Sequence, residues 1–501
     1  MKLSKKAAPD LPASPDRRRI LKMSAWGLLS ALSNNPATGA AGGRGGRERP
    51  GRPAGYSLVI KGARAYVGGR WSEPDIGVAE DGRLVVGAAP LPGESVLRAE
   101  GKVAAPGFID ILGDNSLLPE KTYEIFERHK LTDGVTAALQ MHGGAADAGA
   151  FYEAFGRVPH WTHYGVSTKV MSIRHLAREV KERARLVERC LDEGALGVSH
   201  SLEYQPDTTP EEMLVYARLA KKYDRPLFLH LRYSSAEREL EGVDEAVALA
   251  RACGARLHID HLHSTGGTYH MAEALDKIRE AVRSGLEITT CVYPYSYWAT
   301  YLDSARFAPG WQKRYGLTYG DLEVVGTGER LTEESFEKYR RMKGVLAAVP
   351  AGMTPLESTV DLALREDFCL VASDGGIESE PRANNHPRGA GCFATAIRRA
   401  LSIGLPLENI LEKMTSLPAR VLRPALGRRG VLETGAPADL TVFDPETVDG
   451  AATVADPNRL SRGIEAVIVG GKVAYLKGKL MARNGGEISF ARPRRNGIHA
   501  E

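Results

Sequence analysis

The sequence predicts an α/β protein in two parts: a (β/α)8, TIM-like barrel with insertions, and a small β-sandwich built from both ends of the chain. Three observations predict it. Strand-like apolar runs alternate with helical periods between residues 105 and 425. Short apolar runs broken by Gly and Pro occupy residues 56–104 and recur at 426–482, and neither set is large enough to bury both faces of a sheet alone. Finally, two histidine strings stand one βα unit apart, each at the end of a strand-like run.

In chain order, runs 57–60, 63–67, 76–79 and 83–86 read as the N-terminal strands of the sandwich. Runs 439–444, 464–469 and 472–475 read as the C-terminal ones, and pairing the two sets into one sandwich gives both an inner face. Between them, runs 134–139, 195–199, 226–230, 256–260 and 286–290 read as barrel strands, with helices over 173–193, 210–223 and 242–253. A doubly wound sheet is the alternative, disfavoured because no glycine-rich phosphate loop opens the first βα turn. Residues 297–343, with few long apolar runs and several Gly and Pro, are expected to cover the barrel mouth as a lid.

At 501 residues the chain can bury a large core, and 43% apolar with 26% charged residues is ordinary for a globular protein. The formal charge of +4 is concentrated in the tails, which argues against a nucleic-acid-binding surface. No stretch approaches the ~18 apolar residues of a membrane span. Five scattered cysteines imply no disulfide framework.

The first 41 residues read as a leader. Arg17-Arg18-Arg19-Ile20-Leu21-Lys22 fits the twin-arginine export pattern, followed by a short apolar stretch and small residues near Ala37–Ala41. The expected partner is the twin-arginine machinery and the expected location periplasmic or secreted, or cytoplasmic if the leader is not a signal. Residues 42–55 read as a flexible linker and 483–501 as a tail.

The chemistry lies at strand ends, where barrel side chains face an active site. Phe228-Leu229-His230-Leu231-Arg232 and Ile259-Asp260-His261-Leu262-His263 place His230 and His261 31 positions apart. Leu370-Val371-Ala372-Ser373-Asp374-Gly375 adds an aspartate at a later strand end. Two imidazoles and a carboxylate converging on one face suit a hydrolytic zinc, with Asp374 as ligand, general base or both, the base role being preferred. A helix N-cap is the plainer role for Asp374, and a structural hydrogen bond the plainer role for either histidine taken singly. His142, ending the second barrel strand before Gly143-Gly144, is the candidate third ligand, ahead of Asp114. Candidate substrate contacts are Arg232, His263, Tyr293, Tyr295 and Arg388, the arginines because a guanidinium binds carboxylate bidentately. Aromatic packing and solvated loops are the bland alternatives for the tyrosines and Arg388.

Taken together, these strings resemble the amidohydrolase superfamily, specifically its N-acyl-D-amino-acid deacylase (D-aminoacylase) branch. The likeness runs from about Tyr56 to Lys479 and includes Ala105-Pro106-Gly107-Phe108-Ile109-Asp110, Leu202-Glu203-Tyr204-Gln205-Pro206, His230-Leu231-Arg232, Asp260-His261-Leu262, Val292-Tyr293-Pro294-Tyr295, Ser373-Asp374-Gly375, His386-Pro387-Arg388 and Gly435-Ala436-Pro437-Ala438-Asp439-Leu440. The resemblance implies a barrel with a composite sandwich, zinc on His230 and His261, Asp374 as acid/base, and an N-acylated amino acid as substrate. The chain departs from the pattern in three places. Leu112 and Asp114 stand where a His-X-His pair is usual, His142 stands beside the position of a thiolate ligand, and His263 replaces a substrate-binding lysine. The expectation is therefore one zinc per chain and hydrolysis of a linear C–N bond other than a peptide bond. A cyclic amide or short D-peptide as substrate, or an exported binding protein that has lost the metal site, are the alternatives.

Overall fold

Alternation of apolar strands with amphipathic helices produces the barrel. The computed structural model describes residues 55–87, 90–113, 119–342, 344–349, 355–376 and 386–490. The leader, the linker up to residue 54, Asp114 and residues 491–501 lie outside them. Eight strands follow chain order around one parallel sheet: β1 (Phe108–Asp110), β2 (Val135–Ala145), β3 (His163–Lys169), β4 (Val198–Ser201), β5 (Leu227–His230), β6 (Leu257–Ile259), β7 (Ile288–Val292) and β8 (Cys369–Val371). These strands are almost wholly buried, as expected when helices cover the outside of a parallel sheet.

Local chemistry sets the helices. Pro210–Lys222 starts with proline in its first turn, and the Thr209 side chain accepts from Glu212 N at 3.2 Å. Glu239–Cys253 stops at Gly254, whose φ of 62° is the left-handed cap that glycine tolerates. Met271–Arg283 buries Met271, Ala274, Leu275, Ile278 and Ala281, one stripe at helical spacing. The helix expected over 173–193 is two, Val170–Leu176 and Val180–Asp192, because Ala177 is extended between them. The Arg183 guanidinium takes the Ala177 carbonyl at 3.0 Å, which compensates the break.

The two ends of the chain meet in the sandwich. Val103–Pro106 joins Leu440–Phe443, Ile464–Val469, Lys472–Leu476 and Lys479–Leu480 in a five-stranded sheet. Leu58–Lys61, Asp75–Val78, Leu84–Gly87 and Val96–Arg98 form the four-stranded one. Leu58, Ile60, Ile76 and Val78 share one core with Leu440, Val442, Ala466 and Ile468, so neither end has a complete core without the other.

The segment between β7 and β8 is more than a loop. Strands Ala299–Tyr301, Glu323–Val324 and Leu346–Ala348 form a small antiparallel sheet there. Trp298, Phe307, Trp311 and Phe336 pack with it into a separate apolar cluster. The aromatic residues are spaced too irregularly to show as a run in the sequence.

Asp439, at the entrance to Leu440–Phe443, ties sandwich to barrel. Its carboxylate meets His163 Nε2 of β3 at 3.0 Å, Arg429 Nε at 2.9 Å and Gly470 N at 2.7 Å. Burial alone would raise its pKa, but His163, Arg429 and the Gly470 amide bring it down to about 2. The folded value lies below the unfolded one, so this stability is complete above pH ~4 and is lost as pH falls from ~4 towards 2. Its size is about 2–3 kcal/mol. Urea titrations at stepped pH should therefore show that loss in the wild type and a shallower one in Asp439→Asn; parallel pH curves would contradict it.

Candidate active site

Strand β5 ends at His230, and β6 leads through Asp260 to His261, whose φ of 24° turns its side chain in from the strand end. His142 lies within β2, where the register with β3 shifts between Val166 and Thr168. Such an irregularity re-aims side chains at a barrel rim. One donor atom from each of His142, His230 and His261 falls within 4.8 Å of the others.

In each imidazole one nitrogen is held and the other is left for the cluster. His142 Nδ1 meets Asp260 Oδ2 at 2.8 Å, His230 Nε2 meets Glu203 Oε2 at 2.8 Å, and His261 Nδ1 meets Ser264 Oγ at 2.9 Å. His142 Nε2, His230 Nδ1 and His261 Nε2 remain, the last two 3.2 Å apart. Imidazoles oriented by carboxylates and a hydroxyl are the donor set that a divalent transition metal takes. The residues fit a metal.

Electrostatics favour the neutral form at two of the three rings. Burial, reinforced by the neighbouring imidazoles, holds His261 well below the ordinary histidine value, so it stays neutral and available as a ligand. His230 is also lowered, by burial first, although Glu203 opposes this. Burial would lower His142 too, but the hydrogen bond and charge of Asp260 outweigh it and raise the group. Burial works against the Glu203 charge, yet Arg306 and then His230 bring its carboxyl down to about 2. Glu203 is thus a fixed anion, with Arg306 Nη2 at 2.9 Å and the Ser234 hydroxyl on its other oxygen.

Asp374 follows β8 with φ of 47°, a conformation uncommon for a residue with a Cβ. Its Oδ2 stands 3.9 Å from His261 Nε2 and 2.7 Å from Arg388 Nη2, while Arg388 Nε donates to the Asp374 carbonyl at 2.8 Å. The guanidinium lies 4.5 Å from the centre of the Tyr293 ring. These groups line a cavity of about 330 Å3 beside the histidines, walled on the insertion side by Trp298, Thr300 and Tyr301. Lys169, at the end of β3, and Arg306 line it as well.

The structure brings together His142, His230, His261, Asp374, Tyr293 and Arg388. Arg232, His263 and Tyr295, expected to contact substrate, stand outside that cavity. Arg232 is taken by both oxygens of Glu245, at 2.9 and 2.7 Å, and by the carbonyls of Pro206 and Thr208. His263 is fully buried against the Tyr293 ring, 4.0 Å between centres, and neither of its ring nitrogens has a partner. The Tyr295 hydroxyl is bonded to Thr395 Oγ1 at 3.2 Å. In each case a nearer partner or burial competes with the cavity. Sequence reasoning missed Glu203, Arg306 and the role of Asp260. The signal for Glu203 was available, since it follows the β4 run, but nothing near Arg306 in the sequence links it to a site formed by β4 and β5.

Residues 381–475 match the family model described as "Amidohydrolase family". The chain is 28% identical over 473 residues to the N-acyl-D-glutamate deacylase of Alcaligenes xylosoxydans xylosoxydans, covering 83% of this chain and 93% of that protein. It is 27% identical over 495 residues to the N-acyl-D-aspartate deacylase of the same organism, covering 87% and 95%. Its fold matches a crystal structure of N-acyl-D-glutamate deacylase from Bordetella Bronchiseptica, complexed with zinc and a phosphonate mimic of the tetrahedral intermediate. That match has a TM-score of 0.74 and 24% identity, over 87% of this chain and 100% of the other.

If Asp260 orients His142, Asp260→Asn should weaken metal binding by about 10–100-fold. Competition against a chromophoric chelator at fixed pH measures this, and an unchanged affinity would remove Asp260 from the account.

Proposed function

We propose that this amidohydrolase-family chain is a zinc-dependent hydrolase of linear amides, acting on N-acyl-D-amino acids with one zinc per chain. The observation that carries the reading is the His142, His230 and His261 cluster with the Asp374 carboxylate 3.9 Å from it. Among the described residues this is the one such group of histidine, cysteine and carboxylate donors, which supports a single ion. His142, His230 and His261 would hold it; bound there, zinc supplies Lewis acidity that polarises the amide carbonyl and makes water nucleophilic near neutral pH.

The chain's own groups do the rest. Asp374 accepts the proton of the attacking water and returns it to the nitrogen of the leaving amine. Arg388 binds both the carboxylate and the carbonyl of Asp374 and so fixes the direction of that oxygen. Lys169 lines the cavity together with Arg306 and Arg388, which are paired with Glu203 and Asp374 but add to its positive lining, and this suits a substrate carrying a carboxylate. Trp298 and Tyr301 cover one side of the cavity.

Two substitutions test the assignment. His261→Ala should lose stoichiometric zinc and activity together. Asp374→Asn should keep zinc while kcat falls by about 10²–10⁴-fold. A panel of N-acyl-D, N-acyl-L and cyclic amide substrates reads the bond preference, and turnover of the cyclic amides alone would replace the linear-amide reading. Wild-type protein without stoichiometric metal would sink it.

The proposal extends to location: the enzyme folds first and leaves the cytoplasm through the twin-arginine pathway, led by residues 1–41. Changing Arg17 and Arg18 to lysine should retain it in the cytoplasmic fraction. Unchanged export of that variant would contradict the route.

A further inference from the structure

The joint between the first and last barrel strands is built from three buried polar groups beside Asp374. Lys130, on the helix Pro119–Thr132, places Nζ 2.8 Å from Asp110 Oδ2 and 2.6 Å from Ser373 Oγ, and both side chains of the ion pair are inaccessible to solvent. Ser373 Oγ donates to Asp110 Oδ2 at 2.5 Å and accepts from Gly375 N at 3.0 Å. The Ser373 amide donates to Asp110 Oδ1 at 3.0 Å. The hydroxyl therefore uses its one proton and both lone pairs: it gives to Asp110 and takes from Lys130 and Gly375.

Asp374 lies between the two residues so clamped, and it alone of the three has its backbone in the left-handed region, at φ 47°. A non-glycine residue stays there only when its surroundings over-determine it. Arg388 holds the other side of Asp374, but it does so through the carboxylate and carbonyl, and neither contact restrains Ser373.

We propose that Ser373, held by Lys130 and Asp110, is a positioning residue that keeps Asp374 aimed at the histidine cluster. The seam that closes the barrel thereby also sets the direction of the proton acceptor. This rests on the reading of Asp374 as the catalytic acid/base.

The test compares wild type, Ser373→Ala, and the charge-neutral pair Lys130→Met with Asp110→Asn, each as full-length protein. Ser373→Ala keeps the Lys130–Asp110 pair and the amide bond to Asp110, and removes only the hydroxyl's contacts to Lys130, Asp110 and Gly375. Expected for both variants are one zinc per chain as in wild type, KM within about twofold, and kcat lower by about 10²-fold, the cost of an ångström-scale misplacement. Crystal structures of the metal-free proteins should show the Asp374 carboxylate turned away from Arg388 in the variants. A wild-type kcat in Ser373→Ala, or an unmoved Asp374 in its structure, would overturn the proposal, even if thermal stability falls. If the wild type itself cleaves no amide, the enzymatic reading fails, and the crystal structures alone decide whether Ser373 positions Asp374.

Discussion

A parallel barrel keeps a usable face only while its first and last strands stay joined, and here buried side chains make most of the joint. Among the described residues β1 and β8 share no backbone ladder; a bridge from Gly113 to Gly375 and the Asp110, Ser373 and Lys130 group connect them. Burying an ammonium and a carboxylate is costly unless each is paired and hydrogen-bonded, and these two are. His142, His230, His261 and Asp374 stand within or just past strands of this closed ring, so their geometry inherits the seam. The short strands make this dependence sharper: β1, β6 and β8 have three residues each, too few for backbone pairing to define the rim by itself.

The same economy governs the histidines. Each imidazole gives one nitrogen to a partner in the protein and keeps the other for the cluster. A buried cluster of three imidazoles would be poorly defined without such partners, because a neutral ring has two tautomers and nothing else chooses between them. Glu203 has a wider reach than the others. It orients His230 of β5 and also binds Arg306, which comes from the insertion between β7 and β8. The wall of the cavity and one histidine of the cluster are thus joined through a single carboxylate. A shift of the insertion would be felt at His230 directly, so access to the cavity and the orientation of that ring are coupled by contact.

Much of the architecture was legible in the residues. Short apolar runs and their alternation with helical periods predict a (β/α)8 barrel, and incomplete strand sets at the two ends predict a shared sandwich. Deviations occur where side chains override local pattern. Ala177 breaks one predicted helix into two because a guanidinium satisfies the exposed carbonyl. The insertion has its own core because aromatic residues far apart in sequence pack together. Arg232 was plausible as a substrate contact by spacing alone, but Glu245 on the following helix takes it.

The sequence by itself determined which residue types reach the strand ends: His230, His261 and Asp374 follow apolar runs, and a strand end in a barrel faces the cavity. Only the tertiary structure decided which of the remaining polar residues join them. His142 enters and His263 does not, since one turns toward Asp260 and the other packs under Tyr293. Lys130, Glu203 and Arg306 acquire their roles from partners 20, 27 and 103 or more positions away, as Lys130 does from Asp110 and Arg306 from Glu203. Such pairings are settled by desolvation and distance within the folded core, and neither is written in the periodicity of the chain.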